Sequence, residues 1–135
     1  MTLAERIRKA PRTYIIGNGG SYANAMHIAN DLIACGIKAY TPDPATLTAT
    51  ANDHGYEFVF SRWIETFGEK GDLLIALSGS GKSANILNAI QVAHIMGMDV
   101  ERVFGADQGL NMQTAEERQV WLGHQVMREL KEQKK

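Results

Sequence analysis

Two short glycine-rich loops carry the residues of this sequence that are best suited to binding an anion. Gly17-Asn18-Gly19-Gly20 follows one apolar run, and Ser78-Gly79-Ser80-Gly81-Lys82 follows another. Each loop precedes a segment with apolar residues at helical spacing, so it offers free backbone N–H groups at the positive end of a helix dipole. That combination binds phosphate without a large net charge. The hydroxyls of Ser78, Ser80 and Ser83 add donors that rotate to suit an anion, so the loops predict a phosphate or sugar site.

A second interpretation of the serine loop stays open. Residues 76–83 read A-L-S-G-S-G-K-S, which is close to the phosphate loop of nucleoside triphosphatases, with Ala76 in place of its first glycine. Only about fifty residues follow, and none of them forms an apolar strand that ends in a magnesium-binding Asp. A nucleotide-binding protein that depends on Lys82 is therefore the less favoured alternative.

Histidine and acidic residues form the second set that could do chemistry. His27 and Asp31 are spaced i, i+4 on one face of a predicted helix, where they could share a metal ion or form a plain surface pair. Glu116 and His124 are eight residues apart, about 12 Å along a straight helix. They could reach one ion only if the first turn is irregular or if two subunits contribute. His54 and His94 have no evident partner, and we expect them to be structural or exposed.

The elements that must position these residues alternate between strand and helix. We expect strands at 13–16, 37–40, 72–77 and 100–104, and helices at 2–9, 21–35, 56–67, 83–96 and 113–131, with Ser21 as an N-cap. Residues 41–53, which hold two prolines, are predicted to be loop with no more than one helical turn. This alternation predicts a parallel sheet covered by helices, with ligands at the carboxyl ends of the strands.

Composition narrows the classes of protein. The 135 residues suffice for one domain, and the net charge of −1 argues against nucleic acid or an anionic membrane as partner. The lone Cys35 allows no internal disulfide and suits a cytoplasmic location. The charged N-terminus is expected to be neither a signal peptide nor an anchor, and no apolar run approaches membrane-spanning length.

Taken together, the segments resemble the sugar isomerase (SIS) domain family and, within it, the phosphoheptose isomerases. The resemblance rests on G-N-G-G-S at 17–21 with Ala25-Met26-His27, on A-N-D-H-G-Y at 51–56 with Phe60-Ser61-Arg62, on the run 71–87, and more weakly on His124. It implies a three-layer α/β/α sandwich with a small parallel sheet, flavodoxin-like, formed by a single truncated SIS domain over 1–135. It also implies a homodimer or homotetramer with sites between subunits.

The resemblance implies a phosphorylated sugar as ligand. Its phosphate would be bound by Ser78, Ser80 and Ser83, and its sugar by Asn18, Gly19, Ser21, Asn52 and Asp53. The implied activity is aldose–ketose isomerisation, with sedoheptulose 7-phosphate as the expected substrate.

Asp31 and His124 match the family's acid–base residues. A divalent ion such as zinc would be held by His27, Asp31, Glu116 and His124. Here Asp31 stands for a family Glu, Glu116 for a Gln and Lys82 for an Asn. Because the domain is also shortened, the alternative is a non-catalytic module that binds a phosphosugar or mainly oligomerises.

Overall fold

The fold is built on a four-stranded parallel sheet in a computed structural model that describes residues 1–133, and across the sheet the strands lie in the order 39–40, 13–16, 73–78 and 99–104. The elements follow in the order α1 (Leu3–Lys9), β1 (Thr13–Ile16), α2 (Gly20–Ala34), β2 (Ala39–Tyr40), α3 (Pro44–His54), α4 (Val59–Phe67), β3 (Leu73–Ser78), α5 (Ala84–Ile95), β4 (Asp99–Phe104) and α6 (Met112–Gln133). Short 3₁₀ turns lie at Tyr56–Phe58 and Gly105–Gln108. The predicted α/β class and parallel sheet are confirmed.

Apolar residues on both faces of the central strands produce the layered core. Along β3, Leu73, Ile75 and Leu77 pack under α1, α2 and α6, while the alternate residues Leu74 and Ala76 pack under α4 and α5. All six residues of β3 are buried, as expected for a parallel strand covered on both sides. The sheet is therefore the middle layer of three.

The two glycine-rich loops leave the sheet from neighbouring strands. β1 pairs with β3 in parallel register and ends at Ile16, opposite Ala76, whereas β3 continues to Ser78, so both loops leave the same edge of the sheet. After β1 the chain passes through α2 to β2 at one edge, and after β3 it passes through α5 to β4 at the other. The order thus reverses between β1 and β3, and ligands of open parallel sheets bind in the crevice at such a switch point.

Residues 44–54 correct one prediction from the sequence. They form the 11-residue helix α3 where loop was expected. Asp43 caps the helix by accepting a hydrogen bond from the Thr46 amide, and Pro44 stands in its first turn, where a missing N–H costs nothing. No residue of α3 is fully buried, so the apolar stripe that usually indicates a helix is weak.

Two smaller predictions also need correction. The second strand is only Ala39–Tyr40, shorter than the expected 37–40. The helix after the first loop starts at Gly20 with Gly19 as its N-cap, so Ser21 lies inside the helix and does not cap it. None of the helices within residues 1–133 is both long and apolar enough to cross a membrane.

Candidate functional site

The serine loop between β3 and α5 is pre-folded by its own hydroxyls. The Ser78 Oγ accepts a hydrogen bond from the Gly81 amide at 2.9 Å, and the Ser80 Oγ accepts one from the Lys82 amide at 3.1 Å. Gly81 has a φ of 68°, a left-handed conformation that few other residues adopt without strain. The loop is therefore a tight turn, held by its own hydrogen bonds, that leads directly into the start of α5.

Ser83 and Lys82 complete the polar rim of this loop. Ser83 is the N-cap of α5, and its side chain makes no capping hydrogen bond, so its hydroxyl is available to a ligand. Lys82 is exposed. The helix dipole, three hydroxyls and one cation lie together, which is a suitable environment for a phosphate group.

The first glycine loop is more closed than the sequence suggested. Gly19 has a φ of 57° and is the N-cap residue of α2. Ser21, predicted to contact a sugar, is only 4% exposed, and its Oγ accepts a hydrogen bond from the Gln119 side chain at 3.0 Å. The buried Gln119 also accepts a hydrogen bond from Asn24 through its Oε1. Ser21 therefore ties α2 to α6 in this structure.

Asn85 and Tyr56 are two residues at this site that the sequence did not single out. Asn18 and Asn85 exchange two amide hydrogen bonds, each 2.9 Å long, across the gap between the two loops. The Tyr56 hydroxyl donates to the same Asn18 Oδ1 at 2.6 Å. Tyr56 ends the A-N-D-H-G-Y segment and Asn85 lies within the run 71–87, so membership of these two segments was the available signal.

His27, Asp31 and His124 form the second part of the site. The Nε2 atoms of the two histidines are 3.2 Å apart, and the Asp31 Oδ2 lies 3.4 Å from that of His27 and 4.0 Å from that of His124. The structure thus brings together three of the four residues predicted to hold a metal. All three ligand atoms lie within 4.8 Å of one another.

The geometry of this cluster fits a divalent transition-metal ion. A tetrahedral ion with bonds of about 2.0–2.1 Å separates its ligand atoms by about 3.3 Å, close to two of the three separations here. The Asp31 Oδ2 is also buried and has no hydrogen-bond donor among the described residues. Buried polar atoms without a partner are rare, so this oxygen is suited to a cation between the imidazoles.

Glu116 lies apart from that cluster. Its carboxylate lies against Gly20 in the first turn of α2, so closely that a Cβ on Gly20 would collide with it. A carboxylate there faces the positive end of the α2 dipole. Glu116 and His124 are eight positions apart on α6, so Glu116 does not lie with the other three residues within this chain.

Asn52 and Asp53 lie on the last turn of α3. Both are exposed, and the Asn52 side chain donates a hydrogen bond to the Asp53 Oδ1 at 3.1 Å. Asp53 faces a groove between α3 and α4 that is also lined by Arg62. Within residues 1–133 no hydrogen bond joins either residue to the two loops. His54 and His94 are exposed, as expected.

The fold and the pair of loops place this chain in a known class. The profile of the SIS domain matches residues 1–105, most of the chain. The protein therefore belongs to the SIS domain family, as the motifs predicted. The serine loop lies within the part of the chain that matches the SIS domain, so we reject its interpretation as a nucleoside triphosphatase loop.

Within that family the chain is similar to phosphoheptose isomerases. It is 40% identical over 116 residues to the phosphoheptose isomerase of Aeromonas hydrophila subsp. hydrophila, a match over 79% of this chain and 59% of that protein. The solved phosphoheptose isomerase of Neisseria gonorrhoeae superimposes with a TM-score of 0.87 at 26% identity, covering 96% of this chain and 81% of that one.

The solved phosphoheptose isomerase of Francisella tularensis has the same TM-score of 0.87 at 24% identity, and it covers 96% of this chain and 82% of that one. This second comparison shows that the two proteins share the same fold. The chain thus spans about three fifths of the length of the curated relatives it matches.

Proposed function

We propose that this protein is a phosphosugar isomerase that interconverts a ketose phosphate and an aldose phosphate, with sedoheptulose 7-phosphate as the substrate. The observation that carries the proposal is the convergence of His27, Asp31 and His124 within 4.8 Å, in a domain that also carries the serine loop. A phosphate-binding loop alone suits any phosphosugar-binding protein. Acid–base groups gathered in the same domain are what an isomerase needs in addition.

The serine loop would bind the phosphate group. Ser78, Ser80 and Ser83 supply hydroxyls, and the loop amides and the α5 dipole supply fixed positive potential. Lys82 adds a mobile cation at the rim. Asn18 would bind a sugar oxygen, because its side chain lies beside the start of α5 and is held there by Asn85.

The proton transfers are assigned to Asp31 and His124. Starting from the ketose, a base removes a proton from C1, the C–H electron pair forms the C1=C2 bond, and the carbonyl electrons move to O2. A proton then returns to C2 and the O1 proton is lost. This gives the aldose with no net gain or loss of protons or electrons. The Asp31 carboxylate suits the first transfer and the His124 imidazole suits the exchange between oxygens.

In a metal-bound form, the same three residues, His27, Asp31 and His124, would hold a divalent ion, zinc or a similar metal, and a His124 Nε2 that ligates the ion would not exchange protons. When bound, such an ion polarises a substrate oxygen and stabilises developing negative charge. Binding requires neutral imidazoles and an ionised carboxylate, so it would release any protons that these groups carry. Glu116 stays outside this ligand set, at the start of α2.

We further propose that the protein works as a homo-oligomer in the cytoplasm. The cytoplasmic location is proposed because Cys35 is the one cysteine of the sequence and is a free thiol, which suits a reducing compartment. The basis for the oligomer is the set of large apolar side chains that α2 and α6 leave exposed, among them Ile33 and Trp121.

NMR of the protein with sedoheptulose 7-phosphate, with and without zinc, tests the activity. We expect aldose resonances to appear with wild-type protein and to be lost with Asp31→Asn, because the amide cannot accept the C1 proton. Binding of the sugar phosphate should survive that change. Retained binding with no turnover by the wild type would instead identify a non-catalytic phosphosugar-binding module.

A further inference from the structure

The reciprocal hydrogen bonds between Asn18 and Asn85 fix the position of the Asn18 side-chain amide. Asn85 is only 2% exposed and belongs to the first turn of α5, whereas Asn18 belongs to the loop after β1. The pair therefore joins the glycine loop after β1 to helix α5. Two such bonds define the plane of the Asn18 amide as well as its place.

The Tyr56 hydroxyl determines which of the two Asn18 amide atoms, Oδ1 or Nδ2, lies on its side. A reciprocal pair of amides could form with both groups reversed. The distance from the Tyr56 oxygen to Asn18 is 2.6 Å, which is typical of an O–H···O bond and short for N–H···O. The atom facing Tyr56 is therefore Oδ1, and Nδ2 faces the Asn85 carbonyl.

This orientation of the amide leaves one Nδ2 hydrogen of Asn18 without a partner among the described residues. Its Oδ1 accepts from both Tyr56 and Asn85, which uses both lone pairs. Its Nδ2 donates one hydrogen to Asn85. The other hydrogen has no acceptor among the described residues, and it points away from Asn85 because a cyclic amide pair uses the hydrogen on the carbonyl side.

We infer that Asn85 is a positioning residue, which, together with Tyr56, makes Asn18 a pure N–H donor toward the ligand. This inference rests on the proposed function for the identity of that ligand. A pure donor selects an oxygen that accepts, such as a carbonyl or an enediolate oxygen, over a hydroxyl that must donate. Asn18 would thus favour the carbonyl end of a phosphosugar, whereas the serine loop binds its phosphate.

The Tyr56 side of the arrangement is anchored to the same helix. The Asn88 side chain donates a hydrogen bond at 3.0 Å to the backbone carbonyl of Glu57, next to Tyr56. Both partners of Asn18 are thereby held by α5. Asn85 belongs to that helix, and Tyr56 lies in the 3₁₀ turn that Asn88 bonds. Since Ser83 is the N-cap residue of that helix, the serine loop and the Asn18 donor are both supported by α5.

Isothermal titration with two ligands tests the inference. We expect Asn85→Ala and the near-isosteric Asn85→Leu to weaken sedoheptulose 7-phosphate binding about 3- to 10-fold, the value of one lost hydrogen bond. Inorganic phosphate, which needs only the serine loop, should bind within about twofold of wild type by the same reasoning. Asn30→Ala, an exposed Asn on α2, is the matched control and should change neither affinity.

The side-chain amide of Asn18 gives a readout that does not depend on the ligand. In NMR exchange measurements on wild-type protein, one Nδ2 proton should be protected by Asn85 and the other should exchange freely. In Asn85→Ala the two protons should exchange alike. Equal protection in the wild type would overturn the inference.

The two titrations separate failure of this inference from failure of the proposed function. If wild-type protein binds no sugar phosphate, the proposed function fails, and the exchange measurement alone decides the role of Asn85. If wild type binds sugar phosphate and both Asn85 variants bind it equally well, the inference is wrong. A parallel loss of sugar phosphate and inorganic phosphate would also refute it, because Asn85 would then only shape the loop.

Discussion

His27 and His124 lie 97 positions apart in the chain, and their Nε2 atoms are 3.2 Å apart. They meet because α2 and α6 lie side by side on the same face of the sheet. Gly123 allows that approach, since a Cβ at this position would come within 2.7 Å of the Ile28 side chain. A glycine inside a helix costs about 1 kcal/mol relative to alanine, so close packing of the two helices is its evident reason.

Removal of one imidazole should weaken metal binding strongly. We expect His124→Ala to lower Co²⁺ or Zn²⁺ affinity by more than the roughly 10- to 100-fold that loss of an outer-shell partner costs, because a direct ligand is lost. The cobalt absorption spectrum during titration would measure this. His94→Ala, which changes an exposed histidine on α5, should leave the affinity unchanged. Equal cobalt binding by the two variants would rule out a metal site at this cluster.

Removal of one loop hydroxyl should weaken phosphosugar binding without unfolding the protein. Ser80→Ala deletes a hydroxyl that now accepts from the Lys82 amide and that would bond the charged phosphate. Hydrogen bonds to charged groups contribute about 1.5–3 kcal/mol, so we expect an affinity loss of roughly 10- to 100-fold. Isothermal titration measures the affinity, and thermal unfolding checks the fold. An unchanged dissociation constant would place the phosphate elsewhere.

Arg6 should stabilise the fold in a pH-dependent way. Its guanidinium bonds Asp99 through Nε at 2.8 Å and Glu101 through Nη1 at 2.6 Å, which ties α1 to β4. The hydrogen bond from Arg6 lowers the pKa of Asp99 below its ordinary value. The stabilisation is therefore complete above the ordinary Asp pKa of about 3.9 and is lost as the pH falls through the lowered value.

Urea unfolding of wild type and Arg6→Met at two pH values measures this effect. At pH 7 we expect the variant to lose about 1 kcal/mol of unfolding free energy, the upper range for partly exposed ion pairs. The loss should shrink at about pH 2, well below the ordinary Asp pKa. Arg102→Met, which changes an exposed residue of the same strand, serves as control. A loss of equal size at both pH values would mean that Arg6 acts through packing alone.

Local patterns in the sequence were enough to predict much of the fold. The apolar runs 13–16 and 72–77, each followed by glycines and a helical repeat, correspond to β1 and β3 with the loops that follow. A strand buried on both faces must be continuously apolar, so its signal is contained in neighbouring residues. Helix α3 was missed because its packing buries little, although Asp43 before Pro44 was a usable start signal.

Contacts between distant segments could not be predicted in the same way. The i, i+4 spacing places His27 and Asp31 on one helical face, but nothing in the sequence measures the distance from that face to His124. Only the packing of α2 against α6 decides it, and the same packing buries Ser21 under Gln119 and leaves Glu116 against Gly20. Likewise, the Asn18–Asn85 pair depends on the adjacency of β1 and β3, because hydrogen bonds between loops form only after the sheet has set their positions.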